Sequence, residues 1–287
     1  MPDFASPPLL QIRGLKTWYP VKTGVLARTV GFVRAVDGVD IDLHRGETLG
    51  IVGESGCGKS TLARSILRLE KPREGSIFLN GRNVLALRGA SLRAYRRTVQ
   101  VVFQDPHASL NPRHTVQELI TEAMLVHGLI NREQRREAAI SLLADVGLPG
   151  DILDRYPHAF SGGQRQRLCI ARALALGPQL LICDEAVSAL DLSVRAQVLN
   201  LLEDLKAKHG LSYLFITHDI GVVQHIADRI AVMCHGKIVE TGPSRDVLQS
   251  PVHPYTQLLL RAVPRIGVPL PEDQSDENNG LLAAVSS

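Results

Sequence analysis

The run Gly53-Glu54-Ser55-Gly56-Cys57-Gly58-Lys59-Ser60-Thr61 constrains the fold of this chain more than any other stretch. It matches the phosphate-binding pattern GxxxxGK[ST]. Its flanks fit too, because an apolar run ending in Ile51-Val52 leads in and Leu62-Ala63-Arg64-Ser65-Ile66-Leu67 leads out as a helix. Glycines let successive backbone N–H groups turn inward around a phosphate, and a helix N-terminus adds the positive end of a dipole. Lys59 would reach the β- and γ-phosphates, and the Ser60 hydroxyl would bind Mg²⁺. A chance glycine-rich turn is the bland alternative, and the strand-before, helix-after setting weighs against it. The expectation is a nucleoside triphosphate site.

Two more apolar runs, QLLICDE (179–185) and LSYLFITHD (211–219), lie between helical patterns. Unbroken apolar strands alternating with helices mark a parallel sheet covered on both faces. Residues 9–50 read as short strands and turns, interrupted by a basic stretch, YPVKTGVLARTVG (19–31), expected to be an exposed loop. Residues 105–160 read as mostly helical, and from Pro264 onward the Pro-, acid- and Asn-rich tail is expected to be poorly ordered.

Composition narrows the class. The chain has 287 residues, 45% hydrophobic and 21% charged, the profile of a soluble globular enzyme. Its net charge of +3 is too small for a nucleic-acid footprint. No run approaches the roughly 18 to 20 apolar residues of a membrane span. Asp3 and the early prolines do not suit a signal peptide, so a cytosolic location is expected. The cysteines form no CxxC pair, which argues against a disulfide framework and a structural zinc site. Cys169, Cys183 and Cys234 read as fillers of buried gaps. Cys57 sits beside Lys59 at a helix N-terminus, so a lowered pKa and the fastest alkylation of the four thiols in the nucleotide-free protein are expected of it.

Asp184 and Glu185 close one of the apolar strands, at the carboxyl end where open α/β sheets bind ligands. Asp184 would hold Mg²⁺, usually through water, and Glu185 would act as general base on the attacking water. Helix N-caps are the alternative for such acids. Phe160-Ser161-Gly162-Gly163-Gln164 precedes an amphipathic helix, RQRLCIARALAL. Ser161 and Gln164 also satisfy a capping box, the structural alternative. A capping box needs no glycine pair, whereas a phosphate approaching bare backbone would.

Together these residues resemble the nucleotide-binding subunit of an ABC transporter, from about Leu9 to Pro264. The resemblance implies an α/β fold: a P-loop NTPase (RecA-like) core with an antiparallel β subdomain and a helical subdomain inserted at about 105–165. It implies that Ser161, Gly162, Gly163 and Gln164 of one subunit cover the γ-phosphate held by the other subunit's loop. It makes Gln104 in VVFQDP a Mg²⁺ and water contact that also reports to membrane subunits. Ser188-Ala189-Leu190-Asp191 becomes the D-loop, and His218 in FITHD the switch histidine. Tyr19 becomes the aromatic stacked on adenine, with Trp18 as the neighbouring alternative. Phe160 departs from the family's usual Leu.

A finer resemblance lies in SPVHPYTQLLLRAVP (250–264), which is similar to the tail motif of oligopeptide, dipeptide and nickel importer ATPases. Here Pro254 would open a short helix, Leu258 and Leu259 would dock it, and Pro264 would end it. Residues 265–287 would be a disordered tail. No Cys follows Cys234, so the iron–sulfur cluster of some members is expected to be absent.

The implied function is ATP hydrolysis, with ATP and Mg²⁺, powering import of peptides or a related small solute, nickel among them. The implied partners are two transmembrane permease subunits, a second ATPase subunit in a heterodimer and, indirectly, an extracytoplasmic solute-binding protein. The implied place is peripheral, on the cytoplasmic face of the inner membrane, with no nucleic acid bound. A soluble ABC ATPase acting on nucleic acid or ribosomes is the alternative. The single cassette and the absence of a long heptad run or basic tail speak against it.

Overall fold

Ten strands form two sheets within residues 6–23 and 28–262, the part of the chain that the computed structural model describes. In chain order they are β1 (Leu10–Thr23), β2 (Arg28–Leu43), β3 (Thr48–Val52), β4 (Glu74–Leu79) and β5 (Arg82–Asn83), then β6 (Val99–Val102), β7 (Leu180–Asp184), β8 (Ser212–Thr217), β9 (Arg229–Cys234) and β10 (Lys237–Pro243). The larger sheet has the order β10-β9-β3-β8-β7-β6 and is parallel except for β10. Every residue of β3, β7 and β8 is buried. Cover on both faces is why these strands read as unbroken apolar runs.

The smaller sheet, β2-β1-β4-β5, is antiparallel. It corrects the expected loop at 19–31, because β1 continues to Thr23 and β2 begins at Arg28, with Tyr19 opposite Val33 and Thr23 opposite Arg28. The partner strand β4 ends its pairing at Lys16. Beyond that point the ribbon has two strands, and Val21, Val30 and Val33 are exposed. No apolar face needs covering there, so no alternation marked the strands in the sequence. The short strands expected over 9–50 are therefore long ones.

Helices follow as α1 (Lys59–Ile66), α2 (Gly89–Thr98), α3 (Pro106–Ser109), α4 (Val116–Val126), α5 (Arg135–Asp145), α6 (Gly162–Leu174), α7 (Leu192–His209), α8 (Ile220–Ile226), α9 (Ser244–Gln249) and α10 (Pro254–Arg261). The helical reading of 105–160 corresponds to α3, α4 and α5. α4 opens with a complete capping box between Thr115 and Glu118. On one face of the large sheet, Ile120, Leu143 and Leu168 pack with Cys183, Tyr213 and Phe215. On the other face, Leu62 and Ile66 of α1 share a core with Ile51, Leu10 and Ile12, so α1 lies between the two sheets. Each such side chain contributes about 1.5–3 kcal/mol on burial.

Glu47, fully buried, locks the turn before β3 to the start of β9. It pairs with Arg229 at 2.9 Å and accepts the His44 N–H at 2.6 Å. The C-terminal helix docks through Leu259, as expected, and through two residues the sequence did not point to. Leu259 packs against the cluster of Val52, Val223, Val232 and Val247, and Tyr255 and Thr256 are the buried residues of the helix. Starting at Pro254, the helix turns its first residues inward. Pro264 and the tail expected at 265–287 lie outside the described residues. No helix among the described residues is long and apolar enough to cross a membrane.

Candidate functional site

Parallel register assembles the site. Val52 lies level with Thr217 of β8 and Val232 of β9, Asp184 of β7 with Ile216, and Val102 of β6 with Cys183. Gly53, Gln104, Glu185 and His218 follow these strand ends and emerge at one edge, the carboxyl edge favoured for ligands in open α/β sheets.

The loop from Gly53 to Gly58 turns into α1 there. Glu54, Ser55 and Gly56 are exposed at its tip, while Gly53, Gly58 and Lys59 are buried. Gly58 has φ +112, and a Cβ on it would lie 1.9 Å from the Ala35 carbonyl. Only glycine fits that junction. Lys59 is 4% exposed, and its Nζ donates to the carbonyls of Gly53 at 2.7 Å and Glu54 at 2.8 Å. The ammonium is thus folded back on the loop it would leave to meet a phosphate. Thr61 continues α1, its carbonyl accepting the Ser65 hydroxyl at 2.8 Å.

The Ser60 hydroxyl donates to Asp184 Oδ1 at 3.0 Å. Burial pushes the Asp184 carboxyl above its ordinary value, against the pull of the Ser60 hydrogen bond. Glu185 adopts φ +52, a left-handed conformation that costs a non-glycine residue about 1–2 kcal/mol. Its N–H donates to the Ile216 carbonyl at 2.9 Å, which holds it at the end of β8. His218 Nδ1 lies 3.3 Å from Glu185 Oε1. Neither acid caps a helix. Gln104 is exposed just beyond β6.

Ser188 donates its hydroxyl to the Glu185 carbonyl at 2.8 Å, tying the following turn to that residue. Ala189 is exposed, and Leu190 packs against the main core. Asp191 caps α7 through the Val194 N–H at 2.9 Å, and that bond holds its carboxyl below the usual range. Ser161 and Gln164 complete the capping box of α6, with bonds of 3.4 and 3.0 Å to each other. The glycine pair has two explanations. A Cβ on Gly163 would meet Val194 at 2.4 Å, a packing reason, whereas one on Gly162 would meet only Leu190 at 3.9 Å. Phe160 is buried in the core beneath.

The two aromatic candidates part company. Thr17 faces α1, its hydroxyl 2.9 Å from that of Ser65. Tyr19, two residues on, is half-buried, beyond a register shift between Thr17 and Trp18. Trp18 is on the other face, bonded to Asp37 at 3.1 Å and flanked by Arg34 and Arg73 at 4.8 and 4.7 Å from its ring.

Cys57 corrects the expectation of a lowered pKa. Burial raises its thiol pKa, outweighing the lowering by Lys59. The sulfur lies 3.8 Å from Lys59 Nζ but packs into the core around α1. Cys57 should therefore alkylate more slowly at pH 7 than free cysteine, with a rate climbing at alkaline pH, yet ahead of the three buried thiols. Maleimide kinetics across pH with peptide mapping check this. A faster rate than free cysteine at pH 7 would mean a thiolate after all.

Two contacts escaped the sequence reading. Asp219 caps α8 and pairs with Arg195 of α7 at 2.6 Å, fixing the residue beside His218. The Tyr255 hydroxyl accepts the Glu54 N–H at 3.2 Å. The Thr-His-Asp sequence before α8 is a cap signal that could have shown the first, whereas nothing local signals the second.

A family profile described as ABC transporter matches residues 36–188, and one described as oligopeptide/dipeptide transporter, C-terminal region, matches residues 239–284. The chain is 51% identical over 257 residues to the oligopeptide transport ATP-binding protein AppF of Bacillus subtilis (strain 168), covering 89% of this chain and 78% of that protein. It is 50% identical over 269 residues to the dipeptide transport ATP-binding protein DppF of Escherichia coli (strain K12), covering 94% and 79%. Its fold is similar to the dimeric ATP-binding cassette MJ0796 in a post-hydrolysis state bound to ADP and Pi, with TM-score 0.72 and 29% identity over 82% of this chain and 99% of that one.

Proposed function

The chain belongs to the ABC transporter ATPase family, and on that premise we propose that it is the ATP-hydrolysing subunit of an importer for peptides or a related small solute. The observation that carries the reading is the convergence of Lys59, Ser60, Asp184, Glu185 and His218 at the ends of three adjacent parallel strands. The matched C-terminal region and the relatives named for oligopeptide and dipeptide transport support the substrate class.

In this reading Lys59 leaves the Gly53 and Glu54 carbonyls for the phosphates, and the loop's backbone N–H groups cradle them. Tyr19 stacks on the adenine. Glu185 takes the proton of the attacking water, and His218 holds its carboxylate through Nδ1. A serine hydroxyl beside a buried carboxylate is a hard-oxygen donor set that suits Mg²⁺. Ser60 and Asp184, with Gln104, would hold that ion, which neutralises charge developing on the phosphates when bound. The Ser161–Gln164 segment acts on the nucleotide of a second ATPase subunit, with Ser188–Asp191 beside the shared boundary. In this chain the segment's hydrogen bonds are internal caps, which leaves its role in the closed pair to the partner's phosphate.

Importer ATPases of this family work with transmembrane permease components. Two permease subunits, a different second ATPase, an extracytoplasmic binding protein and a seat on the cytoplasmic face of the membrane complete the proposal. Uptake by a deletion strain tests it. Loss of radiolabelled dipeptide uptake, restored by the native gene and not by a Lys59→Ala copy, is expected. Intact dipeptide uptake with loss of nickel uptake would overturn the peptide reading.

A further inference from the structure

The last described helix touches the phosphate loop through one side chain. The Glu54 N–H donates to the Tyr255 hydroxyl at 3.2 Å, across 201 residues of sequence. Tyr255 is 4% exposed, its ring packed with Val52, Val232, Cys234 and Val247. Its backbone is anchored as well. Glu240 of β10 accepts the N–H groups of Val252 at 2.9 Å and His253 at 3.0 Å, and His253 Nδ1 accepts the Tyr255 N–H at 3.1 Å.

On the loop side, the peptide unit between Gly53 and Glu54 is held at both ends. Its carbonyl accepts Lys59 Nζ at 2.7 Å and its N–H donates to Tyr255. When nucleotide draws Lys59 toward the phosphates, the carbonyl loses its partner and Tyr255 remains as the restraint on that peptide plane. Burial pushes the Tyr255 hydroxyl up to about 12, so it stays neutral at working pH.

We propose that Tyr255 is a positioning residue for the phosphate loop, setting ATP affinity by fixing the Gly53–Glu54 peptide from the C-terminal helix. The proposal rests on the nucleotide reading above. Preorganisation of this kind lowers the cost of ordering the loop around its ligand.

The test uses the full chain, paired with the second ATPase subunit where turnover is read, and two variants. Tyr255→Phe keeps the ring in its cluster and deletes the acceptor. Glu240→Gln leaves Tyr255 intact and loosens the anchor beneath it. Because one net hydrogen bond is at stake, Tyr255→Phe should raise the ATP dissociation constant and KM by about threefold to tenfold, with kcat within about twofold and a melting temperature lowered by no more than about 4 °C. Glu240→Gln should shift affinity in the same direction by less. ATP affinity unchanged in Tyr255→Phe, while Lys59→Ala loses binding, would overturn this proposal and leave the nucleotide reading standing. A fall of melting temperature and kcat beyond those bounds, together with affinity, in Tyr255→Phe would also overturn it, since that is the mark of a merely structural residue. Failure of the native chain to bind ATP would sink the nucleotide reading itself.

Discussion

Glu185→Gln should lower ATP turnover by about 10² to 10⁴-fold while ATP still binds. The amide has the shape of the carboxylate and tolerates the left-handed backbone at this position no worse than Glu does. It can still meet His218, 3.3 Å away, but it cannot take a proton from water. Nothing in the phosphate loop changes, so nucleotide affinity should hold. Hydrolysis would no longer reopen the pair, so ATP should accumulate a closed dimer, visible by size-exclusion chromatography once the partner subunit is supplied. Turnover falling by less than about tenfold would remove Glu185 from the role of base.

Lys59→Ala and Ser161→Arg should fail in opposite ways. Lys59 is buried, and its ammonium is the charge nearest the loop's carbonyls. Truncating a desolvated charge that meets a charged ligand costs about 2–5 kcal/mol, a loss of roughly 30-fold or more in ATP affinity for the isolated chain. Ser161 is exposed at the start of α6, its hydroxyl accepting the Gln164 N–H of its own capping box. Its replacement costs a cap, about 1 kcal/mol of stability, and should leave ATP binding by the isolated chain alone. Turnover should vanish, because arginine would block the neighbour's phosphate. Nucleotide titration of both variants decides: equal loss of binding would end the arrangement between subunits.

What could be read from the sequence followed from local physics. β7 and β8 announced themselves because both faces are covered, so nearly every residue is apolar. The phosphate loop was legible because its whole pattern lies in nine consecutive residues between a strand and a helix, although Gly58 also answers to the distant Ala35 carbonyl. The β1–β2 ribbon was not, since beyond Lys16 it has no third strand and beyond Thr17 its apolar residues Val21, Val30 and Val33 are exposed. Cys57 misled for a related reason. Its sequence neighbours are a lysine and a helix N-terminus, but its spatial neighbours are the core around α1, and desolvation prevails. Glu185's positive φ and Tyr255's reach to Glu54 leave no local trace, because each is imposed by segments distant in the chain.

The position of β3 between β8 and β9 has a consequence for how the chain comes into being. The strand that carries the phosphate loop pairs with residues 213–217 and 229–232, and with no strand nearer in sequence. On a ribosome, Thr48–Val52 emerges long before either neighbour exists, with side chains on both faces that the finished protein buries. Parallel pairing at such separation forms late, after a large loop has closed. A nascent chain therefore carries its nucleotide loop as an unsupported apolar segment until residues 213–232 have been made, the condition that chaperones attend to. Once the ends have met, cellular ATP holds them together. A ligand at 100 times its dissociation constant adds about 2.7 kcal/mol to the folded state. The fuel of the transporter is then also a stabiliser of its newly made engine.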